Sequence, residues 1–187
     1  LRFGMELVDL TSLLRATSFA VFRDAMAKGG VVRGIVAPGQ AGATRKDVDG
    51  WTEIAKRYGA KGLASFAFAG TEVRSPVAKF FTADELAALR SASGARDGAL
   101  LLAVADEQRV ASESLGRLRK HLGEALGLAD TAKHSAVLIH DFPLVERTAD
   151  GGWTFAHNPF SGPLTEDEIA LLDTAPERAR SSQYDFA

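Results

Sequence analysis

The chain has 187 residues, of which 46% are hydrophobic and 25% are charged, so it can bury a core and has the charged share of an ordinary globular domain. With 22 Lys and Arg against 24 Asp and Glu, the formal net charge is −2, which excludes a uniformly basic nucleic-acid-binding surface but not a local basic patch. Cysteine is absent, which excludes thiolate catalysis, disulfides and cysteine-ligated zinc. The four histidines are scattered and lack the spacing of a metal-ligand pair. No apolar run approaches the roughly 18 residues that a membrane span needs.

Short apolar runs separated by turn residues dominate the first eighty residues. The nearly continuous apolar run at residues 63–68 predicts a strand that is buried on both faces. Thr44 is a predicted N-cap, and apolar residues at helical spacing follow it up to Gly59. In chain order, the pattern predicts an extended start at 5–10, a helical turn near 11–14, strands at 19–22 and 31–36, the helix after Thr44, and strands at 63–68 and 77–81.

Two sequence signals for helix N-termini occur in the rest of the chain. Thr82 with Glu85, and Thr165 with Glu168, have the spacing of a capping box, in which the hydroxyl and the carboxylate each accept a free helix N–H. The longest predicted helix covers residues 110–126, with leucines on one face and Gly127 as its stop. Further strands are predicted at 99–105, 137–139 and 153–156.

This order of elements predicts an α+β fold. Helices follow pairs of strands that resemble hairpins, which favours an antiparallel sheet with helices packed on one face over a parallel sheet. The block with this pattern spans residues 16–130, and two outer strips, 1–15 and 131–187, flank it. The abrupt first and last residues suggest a piece of a longer chain.

Several short sequence motifs resemble those of bacterial-type class II aspartyl-tRNA synthetases and occur in the same order as in that family. The middle block carries Ser75-Pro-Val-Ala-Lys-Phe80, an apolar strand ending at Asp106, and Leu115-Gly-Arg-Leu-Arg119, like the insertion of that family known as the GAD domain. The last strip carries Asp141-Phe-Pro-Leu-Val-Glu146, Ala156-His-Asn-Pro-Phe160 and Tyr184-Asp185, which are similar to core strands that lead to the third class II motif.

The resemblance implies three parts and one activity. Residues 1–15 and 131–187 would belong to the antiparallel catalytic core, and residues 16–130 would form the GAD-like insertion. The full-length enzyme would activate L-aspartate with ATP and Mg²⁺ and transfer it to tRNA-Asp, with tRNA-Asn left open. It would be a cytoplasmic homodimer, and this chain alone would be inactive.

The resemblance also implies three site residues. Asp185 would act as a metal ligand toward ATP-bound Mg²⁺, a cation that prefers oxygen ligands. His157 would lie near the side chain of the substrate aspartate, where a histidine can respond to a carboxylate. Glu146 would border the site. Asn158 stands where the family usually has a second histidine, and Ser161 stands where it usually has threonine.

A second hypothesis treats the insertion as a module that binds tRNA or a partner on its own, and a third treats it as a scaffold of the synthetase. Two sets of basic residues bear on the second hypothesis, although nearby carboxylates favour a solvated charged face for both. The first set is Lys56, Arg57, Lys61, Arg74 and Lys79, and the second is Arg117, Arg119 and Lys120.

Overall fold

The computed structural model describes residues 3–130, 132–134 and 136–186. The chain divides into two compact units, Leu1–Thr131 and Ala132–Ala187, and each is described by itself. In the first unit the elements are β1 (Val8–Asp9), α1 (Ala20–Ala27), β2 (Val31–Ala37), α2 (Arg45–Arg57), β3 (Ala64–Ala69), β4 (Glu72–Arg74), a 3₁₀ turn (Ala78–Phe80), α3 (Ala83–Ser93), β5 (Leu100–Asp106) and α4 (Gln108–Ala125).

The five strands form one antiparallel sheet in the order β1-β2-β5-β3-β4. The central strand β5 pairs along its whole length with β2, from Val31 opposite Asp106 to Ala37 opposite Leu100. Every residue of β5 is buried. The predicted antiparallel α+β fold is therefore confirmed.

Helices cover both faces of the sheet, which corrects the expectation of helices on one face. Phe22 of α1 and Leu89 of α3 pack with Leu101 on one face, while Leu115 of α4 packs with Leu102 on the other. Because side chains alternate along a strand, the continuous apolar run of β5 directs apolar side chains to both faces of the sheet. Both faces must therefore be covered.

Local signals place two of these helices correctly. The Thr44 hydroxyl accepts from the Asp47 N–H and the Asp47 carboxylate accepts from the Thr44 N–H, which caps α2. Thr82 and Glu85 make the same reciprocal pair at the start of α3, so the predicted capping box is confirmed. Gly94 ends α3 in the left-handed conformation, with φ of 65°.

Two predicted strands are wrong. Residues 19–22 enter helix α1, where the rings of Phe19 and Phe22 meet edge to face at 4.8 Å. Residues 78–80 form a 3₁₀ turn, and the ring of Phe80 stacks on that of Phe19 at 5.4 Å. In short aromatic runs the periodicity of a strand and of a helix cannot be told apart, and packing between the two runs decides.

The second unit is built from short ribbons. It contains β6 (Leu138–Ile139), β7 (Val145–Arg147), β8 (Trp153–Phe155), α5 (Asp167–Thr174), a 3₁₀ turn (Pro176–Arg178) and β9 (Asp185–Phe186). β6 pairs with β9 and β7 with β8, both antiparallel.

The capping box predicted at Thr165 does not form. The N-cap of α5 is Glu166, in a helical conformation and without a side-chain hydrogen bond. Glu168 is engaged elsewhere, because its Oε2 accepts from the Arg180 N–H at 2.7 Å. The Glu168 carboxylate therefore accepts from the backbone of Arg180 instead of from the N-terminal backbone of α5.

The second unit buries very little of its apolar surface. Among its described residues, Leu144 and Ala179 are the buried hydrophobic side chains. Phe160 is 93% exposed and Phe186 is 76% exposed. Other large apolar side chains of the unit are exposed as well: Leu138, Ile139, Trp153, Phe155, Leu164, Ile169, Leu172 and Tyr184.

The first described residues, Phe3 and Gly4, are held against α4. Arg119 donates from Nε and Nη2 to the Gly4 carbonyl at 3.0 and 2.6 Å, and its guanidinium lies 4.2 Å from the centre of the Phe3 ring. Gly123 leaves room for that ring, since a Cβ there would lie 2.5 Å from Cζ of Phe3. Arg119, predicted as a candidate tRNA contact, thus has a structural partner within the chain.

A matched pair of glycines in α4 tests this contact. Gly116→Ala has open space and should raise the free energy of unfolding by about 1 kcal/mol through helix propensity. Gly123→Ala must displace Phe3, so it should gain less or destabilise the chain by up to about 1 kcal/mol. In a Phe3→Ala background the two substitutions should have equal effects. Urea unfolding followed by circular dichroism measures all of them, and an unequal effect in that background contradicts the contact.

Asp106, at the end of β5, gives the fold a dependence on pH. Its side chain is 5% exposed, and Oδ1 accepts from Lys61 Nζ at 3.0 Å and from the Glu107 N–H at 2.9 Å. Burial opposes the charged form, but the hydrogen bonds from Lys61 and Glu107 outweigh it and hold the pKa of Asp106 below its ordinary value. The ionised carboxylate therefore stabilises the fold above its unfolded-state pKa, and that contribution is lost as pH falls through the lowered folded-state pKa.

Lys61→Met should move the acid-unfolding midpoint to higher pH, because burial then raises the pKa of Asp106 unopposed by the ammonium group. Lys79→Met, which removes an exposed lysine without touching Asp106, is the control and should leave the midpoint unchanged. Circular dichroism between pH 2 and pH 7 records the midpoints. Equal midpoints for the two variants would rule out the Lys61–Asp106 pair as the cause.

Candidate functional site

The three site residues named from the sequence all lie in the second unit. Glu146 is in β7 opposite Thr154, and His157 follows the end of β8. Asp185 is in β9 opposite Ile139. All three side chains are exposed, as a ligand-contacting side chain requires.

Residues 138–144 connect two of these positions. Ile139 pairs with Asp185, and the Leu144 carbonyl accepts from the Ala156 N–H at 3.2 Å, next to His157. The ring of His157 lies 6.3 Å from that of Phe142. His157 and Asp185 are therefore neighbours of the same segment, although they do not share a hydrogen bond.

Asp185 fits a Mg²⁺ ion in one respect. In the described residues, no group of three or more His, Asp or Glu side chains could hold a metal. Mg²⁺ is commonly held by one or two carboxylates together with substrate phosphates and water, so a lone exposed aspartate suits an ion that arrives with a nucleotide.

Asn158 closes the loop after His157. Its Oδ1 accepts from the Phe160 N–H at 2.8 Å, and its carbonyl accepts from the Ser161 N–H at 3.1 Å. This is the local turn that an asparagine side chain favours. Ser161 in turn donates to Oε1 of Gln183 at 3.3 Å, two residues before Asp185, so the loop is tied to the strand that carries the aspartate.

The structure regroups the basic residues named from the sequence. Besides Arg119, Lys61 is engaged with Asp106, and Lys56 lies 3.0 Å from Glu53. Arg57, Arg117 and Lys120 instead come together in the first unit, along a groove between α2 and α4. We call this the α2–α4 groove; its volume is about 700 Å³, and it is lined by Lys46, Asp47, Gly50, Trp51, Ile54, Arg57, Tyr58, Arg117, Lys120, His121 and Glu124.

Four basic side chains in the α2–α4 groove face two carboxylates, on a chain whose formal net charge is −2. One of the two carboxylates, Asp47, is occupied as a cap: hydrogen bonds from the Thr44 side chain and backbone lower its pKa. The guanidinium of Arg117 lies 5.1 Å from the centre of the Tyr58 ring. The groove therefore combines positive charge with two aromatic rings, Trp51 and Tyr58.

Sequence reasoning missed Lys46, Tyr58 and His121 as members of this site. The signal was present, since Lys46, Gly50, Ile54 and Tyr58 recur every four residues on one side of α2. The residues of α4 that line the other side of the groove, within 117–124, could not be assigned to the same site, because the sequence does not reveal that α2 and α4 pack side by side. Across the described residues, no helix is long and apolar enough to cross a membrane.

Comparisons with known proteins agree on one relationship. The profile of the GAD domain matches residues 22–115. The aspartate–tRNA(Asp/Asn) ligase of Geotalea uraniireducens is 45% identical over 187 residues, covering 100% of this chain and 31% of the relative. The aspartate–tRNA ligase of Geobacillus kaustophilus is 46% identical over 188 residues, with 100% and 32% covered. The aspartate–tRNA(Asp/Asn) ligase of Rubrobacter xylanophilus is 47% identical over 187 residues, with 100% and 31% covered.

The chain thus spans about a third of the length of the curated relatives it matches. The identity covers the whole chain, including the second unit, which lies beyond the GAD profile.

Trp51 can report the charge of the α2–α4 groove. In a Trp153→Phe chain, Trp51 is the remaining tryptophan. With each ion's quenching divided by its quenching of free N-acetyltryptophanamide, iodide should quench Trp51 more strongly than caesium at low ionic strength, because the groove attracts anions. Arg117→Gln with Lys120→Gln should reduce or reverse the difference. Equal normalised quenching by both ions in the Trp153→Phe chain would mean that the groove carries no net positive potential.

Proposed function

The chain belongs to the GAD domain family, and we propose from this premise that it is a segment of an aspartate–tRNA ligase. The segment comprises the GAD-like insertion, residues 16–130, and core segments 1–15 and 131–187. The observation that carries the proposal is identity of 45–47% to such ligases over the entire chain rather than over residues 22–115 alone.

The exposure of the second unit supports the same proposal. A unit that buries Leu144 and Ala179 but exposes side chains such as Phe160 and Phe186 has not completed a hydrophobic core among its described residues. Large exposed apolar surfaces mark contacts with another element. We assign that element to the remainder of the ligase, and we expect the 187-residue chain alone to be inactive.

In the full-length enzyme, L-aspartate would attack the α-phosphorus of ATP, and the aspartyl group would then pass to the 3′ end of tRNA. Mg²⁺ bound to ATP would neutralise charge that develops on the phosphates. Asp185 would offer its carboxylate to that ion, and His157 would respond to the substrate side chain. Glu146, exposed on β7, would border the site.

The remaining parts of the proposal follow the family. The tRNA partner is tRNA-Asp; relatives carry both the tRNA(Asp/Asn) and the tRNA designation, so tRNA-Asn belongs to the same test. We extend the proposal to a homodimer in the cytoplasm.

A second function, an autonomous binding module, is favoured by one observation: the first unit buries its own core on both faces of its sheet.

The test is aspartate-dependent ATP–pyrophosphate exchange by the full-length product of the gene. Exchange is expected with aspartate and not with asparagine. Asp185→Asn should lower kcat on the order of 10²-fold, as expected when one electrostatic stabiliser is removed. His157→Gln should raise the KM for aspartate with less effect on kcat, because its role is in substrate binding.

Glu177→Gln, which removes an exposed carboxylate of the second unit outside the proposed site, is the matched control and should leave both constants unchanged. A folded full-length protein that catalyses no exchange would overturn the ligase proposal. In that event the binding-module function takes its place.

A further inference from the structure

We propose that the α2–α4 groove is a binding site for the phosphate backbone of RNA, with Tyr58 and Trp51 as stacking surfaces for exposed bases. The groove itself is a property of the first unit. That the polyanion is RNA, and tRNA in particular, rests on the proposed function.

Basic residues converge on the groove from two helices. Arg57 comes from the last turn of α2, and Arg117 and Lys120 come from the middle of α4, so basic groups converge from two helices. Glu113 lies 3.6 Å from Arg117, with both side chains about half exposed, and such surface pairs are weak and screened by salt. The basic groups thus remain able to exchange these partners for phosphates.

Two aromatic residues lie among these basic groups. Tyr58 is 39% exposed and already lies against the guanidinium of Arg117. Trp51 is half-buried against the core and lines the groove with its exposed part. Aromatic rings interleaved with basic groups suit single-stranded or looped nucleic acid, in which phosphates meet cations and bases stack on rings.

Gly50 leaves open space on the groove side of α2. It lies inside the helix and lines the groove, and a Cβ at this position would meet nothing within 4 Å. The absence of a side chain allows a bound backbone to approach α2 closely.

The experiment measures binding of a fluorescein-labelled tRNA-Asp transcript to the 187-residue chain by anisotropy in 50–200 mM KCl. Arg57→Gln with Lys120→Gln should weaken binding at least tenfold and reduce the slope of log affinity against log salt by about 2, since each phosphate contact contributes about 1. Tyr58→Ala should weaken binding about tenfold without changing the slope. Circular dichroism confirms that each variant is folded.

Two matched controls separate the groove from general charge and helix effects. Lys28→Gln with Lys79→Gln removes the same charge outside the groove and should leave the affinity within about twofold. Gly50→Ala should weaken binding, whereas Gly116→Ala, also inside a helix with open space, should not. Equal losses for the two charge pairs, or equal effects of the two glycine substitutions, would overturn the proposal.

Further arms distinguish this inference from the proposed function. In the full-length protein, Arg57→Gln with Lys120→Gln should leave aspartate-dependent exchange unchanged and raise the KM for tRNA in aminoacylation. Groove-dependent RNA binding by a protein that catalyses no exchange would support the groove as an RNA-binding site and overturn the ligase proposal. Groove-dependent binding of polyglutamate, with no binding of the transcript, would replace RNA by an acidic protein partner and overturn the inference.

Discussion

The complete burial of strand β5 is the constraint on which the first unit depends. Its alternating side chains serve two separate cores, one closed by α1 and α3 and the other by α2 and α4. A strand of this kind cannot be left with one face in water, because several leucine and valine side chains would each forfeit roughly 1.5–3 kcal/mol of burial. The requirement to cover both faces is met by α1 and α3 on one face and by α2 and α4, side by side, on the other.

In this arrangement some charged residues are paired within the chain, and others face solvent along the α2–α4 groove. At the end of β5, Asp106 and Lys61 pair at the edge of the core, and Arg119 fixes the first described residues against α4. These groups are engaged within the chain. The basic residues along the α2–α4 groove face outward because the opposite sides of both helices are occupied by the core, which leaves the groove as the surface where the positive charge collects.

Much of the first unit could be predicted from the sequence, and the reasons can be stated residue by residue. Capping at Thr44 and Thr82 depends on neighbours three positions away, and the burial of β5 depends on its own composition, so local reasoning succeeded. The profile match to residues 22–115 confirms the resemblance drawn from the motifs. Phe19 and Phe80 were misassigned because their stacking joins residues 61 positions apart, and the Thr165 box failed because Arg180 competes for Glu168.

The candidate site was less predictable for a related reason. His157, Asp185 and Glu146 could be named from resemblance to the family, but the structure supplies no cluster among the described residues that would assign them a role independently. In the α2–α4 groove the position is reversed: the sequence places Arg57 in one set of basic residues and Arg117 and Lys120 in another, and the structure brings the three together.

The two units also differ in what they require from elsewhere. The first closes its own cores, so the α2–α4 groove has a rigid frame of two helices packed on a buried sheet. The second leaves rings such as Phe160 and Phe186 in water, and its short ribbons have little apolar burial to hold them. Precise placement of a catalytic carboxylate needs a packed supporting shell. The role proposed for Asp185 therefore depends on surfaces that cover the second unit, whereas the binding proposed for the groove depends on the first unit alone.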